Sequence, residues 1–463
     1  PLTDGVQQSH VRLAVQAALG VAADRLEESL PETLLQSKNL MSIGEAIRSI
    51  HRPENRNALE AARKRFVYQE LLMLQLALRL HSGQQDTRQT APAIEIDNKL
   101  DNRIKALFPH DFTNAQKRVC AEIATDMRRT KPMNRLLQGD VGSGKTAVAA
   151  YCMLATAATF VLGSTPGEEG SSASSTSRFQ AAIMAPTELL ARQHYQTLTS
   201  LLLERGSPLR VGLLIGGQRV AERRKLREQI ESGEVHLVVG TQALICSEAA
   251  FANLGLVVID EQHRFGVLQR SLLRQGTSDP HTLVMTATPI PRTVAHAVYG
   301  DLDISVIDEL PPGRQEVATY RVSLDQVDQW WDFFRKKLKE GRQGYVVVPT
   351  VDASGRDMAS ISSAFESLAN GHLEAFRLGL LHGRMKPEQK ASVMADFRAN
   401  RFDVLVATSV IEVGIDVPNA TLMTILDAEN FGLAQLHQLR GRVARGRMQG
   451  ICGAVTDEEA KAS

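Results

Sequence analysis

A chain of 463 residues is long enough for about three domains of the usual ~150 residues each. Its 43% hydrophobic and 23% charged residues exclude an intrinsically disordered protein, and no apolar run approaches the ~18 residues that a membrane helix needs. Lys plus Arg total 53 against 52 for Asp plus Glu, so the net charge of +1 neither demands an acidic partner nor excludes a local basic groove.

Residues 1–107 read as helical. Within them Ala58 to Leu80 combines strong helix formers with Phe66, Leu71, Leu74 and Leu78 at helical spacing, which predicts one long, mostly buried helix. The charges at Glu45 and around Arg63 to Arg65 are expected on solvated helix faces. The first residues, PLTDG, have neither the basic nor the apolar segment of a signal peptide, and no Met precedes them, so the chain reads as a portion of a longer protein.

From Asn134 the pattern changes to short aliphatic runs, NRLLQ, AAIMAP, GLLIGG, VHLVVG, LGLVVID and HTLVMTAT, separated by helical stretches. Such alternation predicts α/β architecture with a parallel sheet flanked by helices. Gly163 to Ser177 interrupts it with Gly, Ser, Thr and Pro and is expected as a surface insertion. After Pro311-Pro312-Gly313 a second series follows, GYVVVP, FRLGLLH, FDVLVAT, TLMTILD and QGICGAV, so the prolines mark a linker between two similar domains, 108–310 and 311–463. Cys120, Cys152, Cys246 and Cys452 are scattered, with no Cys-x-x-Cys pair, and read as buried reduced thiols of a cytoplasmic protein.

The strongest chemical signal is Gly139-Asp140-Val141-Gly142-Ser143-Gly144-Lys145-Thr146, between the strand NRLLQ and the helical run AVAAYCMLATAA. This is the setting of a phosphate-binding P-loop: glycines let successive N–H groups and a helix N-terminus face the phosphates, Lys145 adds a charge, and Thr146 offers a hydroxyl to Mg²⁺. Asp260 and Glu261 end the strand LGLVVID at the carboxyl edge of the sheet, where Asp260 suits Mg²⁺ and Glu261 an attacking water; an acidic pair there can also be a solvated loop. Arg442 and Arg445 are candidate arginine fingers, and Gln438, Arg442 and Arg445 would share one face of a helix at i, i+4 and i+7, although a basic face is often only solvated.

Taken in order, these motifs resemble those of superfamily-two helicases, from about residue 108 to 455. The resemblance makes Phe112-Thr-Asn-Ala-Gln116 the adenine-contacting segment, so Phe112 and Gln116 join the P-loop, Gly414, Asp416 and Gln438 as nucleotide-binding residues. It implies two RecA-like domains using ATP and Mg²⁺, with Lys145, Asp260, Glu261, Arg442 and Arg445 catalytic. From APTELLARQH, GTQAL and ATSVIEVGIDVPNA it implies that Pro186, Thr187, Arg192, Gly240, Thr241 and Thr408 contact the nucleic-acid backbone. From DEQH and TATPIPRT it implies that His263, Thr286 and Thr288 couple that track to ATP.

Ile259 to Val267 (IDEQHRFGV), TATPIPRT, QLHQLRGRVARG and the helical SIGEAIRSIHRP resemble the RecG family in particular, with Ala444 where a glycine is usual. That resemblance implies an ATP-driven monomeric DNA helicase of recombination and repair that acts on replication forks and Holliday junctions. An Mfd-like duplex translocase, which would be expected to have a second acid where Gln262 stands, and a nucleotide- and DNA-binding module without motor coupling are the alternatives. Relative to that family a wedge domain before residue 1 and a coupling element after about 455 are expected to be missing.

Overall fold

The structure is a computed structural model that describes residues 8–86, 90–159, 178–203, 207–241, 244, 250–260, 279–286, 302–311, 315–349, 357–408, 417–443 and 448–457. The described residues fall into two compact units, one formed by those up to 86 and the other by those from 90 onward.

The first unit is helical: α1 (Gln8–Ala22), α2 (Glu32–Lys38), α3 (Ile43–His51) and α4 (Arg56–Asp86). Glu45, expected as a solvated charge, closes a capping box at the start of α3. Its amide donates to Ser42 Oγ, and its carboxylate accepts from the Ser42 amide at 3.3 Å. Helix α4 forms, but it is not mostly buried: Leu71 and Leu74 are 48% and 44% exposed, because the packing of α4 on α3 covers one side only. Arg65, expected at the surface, is fully buried and donates to Glu28 at 2.5 Å, to Gln69 Oε1 at 2.6 Å and to the Met41 carbonyl at 3.1 Å. Partial burial works against the Glu28 carboxylate, yet the amides of Leu30 and Ile43 together with Arg65 hold it below the usual range.

The second unit opens with α5 (Asn98–Lys105) and α6 (Asn114–Met127) and contains two sheets. The first sheet holds β1 (Asn134–Gly139), β2 (Gln180–Met184), β3 (Val211–Leu214), β4 (Leu237–Gly240), β5 (Leu254–Asp260), β6 (His281–Thr286) and β7 (Asp303–Ile307). They lie in the order β3-β4-β2-β5-β6-β1-β7, with every pairing parallel. Helices α7 (Lys145–Ala158), α8 (Glu188–Leu203) and α9 (Val220–Glu231) join the strands. Because ten consecutive residues of α7, Val148 to Ala157, are buried, the helix has to be apolar on every side, as AVAAYCMLATAA is.

The second sheet holds β8 (Ala318–Ser323), β9 (Gln343–Val347), β10 (Leu378–Leu381), β11 (Val404–Ala407), β12 (Ala420–Ile425) and β13 (Ile451–Thr456). Their order is β10-β11-β9-β12-β13-β8, again all parallel. Its helices are α10 (Val327–Lys339), α11 (Asp357–Ala369), α12 (Pro387–Arg398) and α13 (Leu433–Arg440). One face carries Tyr345, Phe397 and Met423, and the other carries Trp331, Phe334 and Val346.

Two parallel sheets flanked by helices are the RecA-like pair expected from the motifs. The eleven runs anticipated as strands all form, and β7 and β8 are additions at the sheet edges. Cys120, Cys152 and Cys452 are free and buried, and burial pushes the Cys120 and Cys452 thiols up to about 12; Cys246 lies outside the described residues. No described helix is long and apolar enough to cross a membrane.

Candidate functional site

Since all strands of the first sheet are parallel, their carboxyl ends share one edge, and the chain leaves each strand there into a loop. β1 ends at Gly139 and runs into the P-loop, with Gly142 at φ +78° and Gly144 at φ +88°, conformations that side-chain-bearing residues rarely adopt. Helix α7 starts at Lys145 with no side-chain cap and no acid in its first turn, so its positive end is left for an anion. Lys145 Nζ donates to the carbonyls of Gly139 at 2.7 Å and Asp140 at 2.8 Å, and Thr146 is exposed beside it. Uncapped helix end, paired glycines, ammonium and exposed hydroxyl together fit a magnesium-bound polyphosphate.

Gln116 ties this loop to α6. Thr113 caps the helix by accepting from the Gln116 amide at 3.2 Å, and the Gln116 side chain accepts from the Thr113 amide at 2.9 Å. The same side chain donates through Nε2 to the Ser143 carbonyl at 2.8 Å. Phe112, grouped with Gln116 from the resemblance, faces inward: it is 6% exposed and packs edge-on against Phe108 and Tyr151, with centroids 4.9 and 6.0 Å away.

Asp260 ends β5 two strands away from β1. Asp260 and Leu137 are both in register with Met285 of β6, which puts them roughly 10 Å apart at ordinary strand spacing. Thr286, buried, ends β6 between them. Asp260 is 9% exposed, and its Oδ2 accepts from His194 Nε2 of α8 at 2.9 Å. On its other side β2 and β4 end in step, Met184 beside Gly240, with the Ala185 amide donating to the Gly240 carbonyl at 2.8 Å. Pro186, Thr187, Gly240 and Thr241 therefore cluster on the half of the edge away from the P-loop. Thr187 also caps α8, its hydroxyl accepting from the Leu190 amide at 3.3 Å, and Arg192 is exposed on that helix. Gly240 has a packing reason as well: a Cβ there would lie 2.5 Å from the Leu214 carbonyl oxygen.

The second sheet contributes two groups. Thr408, 6% exposed, follows β11, its amide donating to the Leu381 carbonyl at 3.3 Å. Helix α13 reaches the P-loop itself: the His437 imidazole hydrogen-bonds the Asp140 carboxylate and accepts from Arg440 at 3.3 Å. A Cβ on Gly441 would lie 2.4 Å from Val141 Cβ, so the two backbones meet there. Gln438 is buried in α13. The helix stops at Arg440, and Arg442 lies in a 3-10 turn, Gly441–Val443, so Gln438 and Arg442 do not sit on one continuous helix as their spacing suggested. Arg442 is nonetheless one residue from the contact with Val141.

Residues 113–297 match the DEAD/DEAH box helicase model and residues 325–447 the helicase conserved C-terminal domain model. The chain is 43% identical over 460 residues to the ATP-dependent DNA helicase RecG of Bacillus subtilis, covering 99% of this chain and 64% of that one. It is 42% identical to the RecG of Thermotoga maritima, covering 99% and 56%. A solved structure of RecG bound to a three-way DNA junction superposes with a TM-score of 0.78 at 41% identity, covering 99% of this chain and 59% of that one. Over nearly its whole length the chain is similar to RecG helicases, and it matches both helicase domain models in order. It spans roughly 56–64% of the length of those two curated RecG relatives.

Of the residues that the motifs and the superfamily-two helicase resemblance assign, Glu261, His263, Thr288, Gly414, Asp416 and Arg445 lie outside the described residues, as does the insertion 163–177. Two side chains at this sheet edge were not anticipated, His194 on Asp260 and His437 on Asp140. Both stand inside recognised motifs, APTELLARQH and QLHQLRGRVARG, but only the distances single them out from their neighbours.

Proposed function

We propose that this chain carries the motor of an ATP-dependent DNA helicase of RecG type, which acts on replication forks and Holliday junctions in recombination and repair. The observation that carries the reading is the seat of α13 on the P-loop, which joins the second sheet's arginine-bearing turn to the loop suited to phosphate.

The P-loop amides and the α7 N-terminus would hold the phosphates and Gln116 the adenine, with the Phe112 segment as its support. Lys145 is held at the loop by two carbonyls, within reach of the phosphates it would neutralise. Thr146 and Asp260 would hold Mg²⁺, which would supply neutralising charge to the phosphates. Glu261 orients the attacking water, and Arg442 and Arg445 stabilise the charge that develops in the transition state; Gly414, Asp416 and Gln438 complete the nucleotide site. Pro186, Thr187, Arg192, Gly240, Thr241 and Thr408 would grip DNA phosphates, with His263, Thr286 and Thr288 between the two. Such contacts are sequence-independent and salt-sensitive.

The division that fits this reading is a helical segment at 1–107, an ATP-binding domain at 108–310 and a closing domain at 311–463. It is supported by strands β1 to β7 falling in the second range and β8 to β13 in the third. The reading includes a monomer working in the cytoplasm; the free, buried cysteines accord with a reducing compartment.

The test compares steady-state ATP turnover with forked DNA, duplex RNA and no nucleic acid; forked DNA should stimulate most. Lys145→Ala should lose ATP binding, whereas Glu261→Gln and Arg445→Ala should bind ATP and turn over ~100-fold or more slowly, the scale seen when one transition-state charge stabiliser is removed. Equal loss of binding in all three variants would defeat the assignment.

A further inference from the structure

Asp260 has a partner, His194, that lies inside the APTELLARQH motif but to which the motif gave no role. His194 Nε2 lies 2.9 Å from Asp260 Oδ2, and both side chains are nearly out of solvent, with relative exposures of 5% and 13%. A carboxylate can only accept, so Nε2 carries the hydrogen and donates. The bond engages one carboxylate oxygen and fixes the rotation of the group about its last torsion, which directs Oδ1 to whatever else approaches. A histidine buried against a carboxylate at a strand end can serve packing alone. The position of α8 argues for more, because its first turn follows Pro186 and Thr187, and the exposed Arg192 lies on the same helix two residues before His194.

We infer that His194 is a positioning residue for the metal carboxylate: it holds Asp260 in the rotamer that presents Oδ1 to Mg²⁺, and it joins that carboxylate to the helix beside the nucleic-acid track. This rests on the assignment of Asp260 to Mg²⁺ made above. Partners of this kind, which orient a ligand without touching the metal, typically govern affinity by about 10- to 100-fold.

The experiment titrates Mn²⁺ into the ADP-bound chain and follows free Mn²⁺ by electron paramagnetic resonance. His194→Gln restores an amide N–H at about the reach of Nε2, whereas His194→Asn stops one methylene short. Both are polar, and equal folding stability of the two in denaturant titrations separates lost packing from the lost hydrogen bond. The Asn variant should bind Mn²⁺ about tenfold more weakly and the Gln variant within about threefold of the unsubstituted chain. ADP affinity measured in EDTA should be the same in all three. Equal Mn²⁺ affinity in the Asn variant and the unsubstituted chain overturns the inference, and so does a Gln variant as weak as the Asn one. Asp260→Asn serves as the reference: if it too leaves Mn²⁺ affinity unchanged, the fault lies with the metal assignment of Asp260 and not with His194 alone.

Discussion

Gly144 meets two demands at once. Its φ of +88° lies in the left-handed region, and a Cβ on it would stand 2.2 Å from Gln116 Nε2. A side chain at 144 would therefore strain the loop and push away the amide that holds the Ser143 carbonyl. Gly144→Ala should cost about 1–3 kcal/mol of folding stability in denaturant titrations without nucleotide. It should also weaken ADP binding about tenfold, ~1.4 kcal/mol by calorimetry. An alanine variant with unchanged ADP affinity would show that the loop tolerates displacement of Gln116. The glycine itself was legible, because the P-loop pattern demands small residues at fixed spacing. The bond between Gln116 and Ser143 was not, since it links residues 27 positions apart through tertiary packing. The partnerships of His194 and His437 were hidden for the same reason, since a histidine's role depends on what faces each ring nitrogen.

At the scale of elements, strands were readable where burial forces an aliphatic run. β2, β4 and β9 are buried along their whole length, and their sequences show it. β7 and β8 were missed because neither shows an uninterrupted aliphatic run: β7 (DISVI) contains Asp303 and Ser305, and β8 (ATYRVS) buries only Val322, its identity coming from pairing with β13. Helix α4 misled in the opposite sense, since apolar residues at helical spacing establish a helix but not what covers it.

The start of β6 carries a consequence for pH. The His281 ring is buried, with Nδ1 accepting from the Met133 amide at 3.0 Å and Nε2 donating to the Pro92 carbonyl at 2.8 Å. Burial pushes its pKa below the ordinary 6.5. The unfolded chain therefore takes up a proton near 6.5 that the folded chain resists, so this contribution to stability is complete above 6.5 and is lost as the pH falls below it. Denaturant midpoints should drop on acidification from about pH 7.5 to 5.5, with His281 contributing a slope of at most about 1.4 kcal/mol per pH unit. His281→Gln should be less stable at neutral pH but show a shallower decline. A variant whose decline is as steep as that of the unsubstituted chain would assign the acid sensitivity to other groups, such as His236, which burial also depresses.

At the scale of the two sheets together, the division into two α/β lobes was legible from two series of strand runs separated by Pro311-Pro312-Gly313, but the surface through which the lobes meet was not. That surface brings Gly441 of the second sheet onto Val141 of the P-loop, an approach that leaves no room for a Cβ. Gly441 has an ordinary helical backbone, with φ at −62°, so alanine would be unstrained there and any effect must come from the collision with Val141. Gly441→Ala should move Arg442 away from the loop while leaving the phosphate cradle intact. ADP affinity should then stay within about threefold, while turnover at saturating ATP and forked DNA falls about 10- to 100-fold, the range expected when a catalytic group is displaced by about an ångström. Adding Val141→Gly to the same chain removes the opposing Cβ and should recover part of the turnover. Full activity in Gly441→Ala, or no recovery in the double variant despite retained ADP binding, would mean that the catalytic arrangement of the lobes does not pass through this contact.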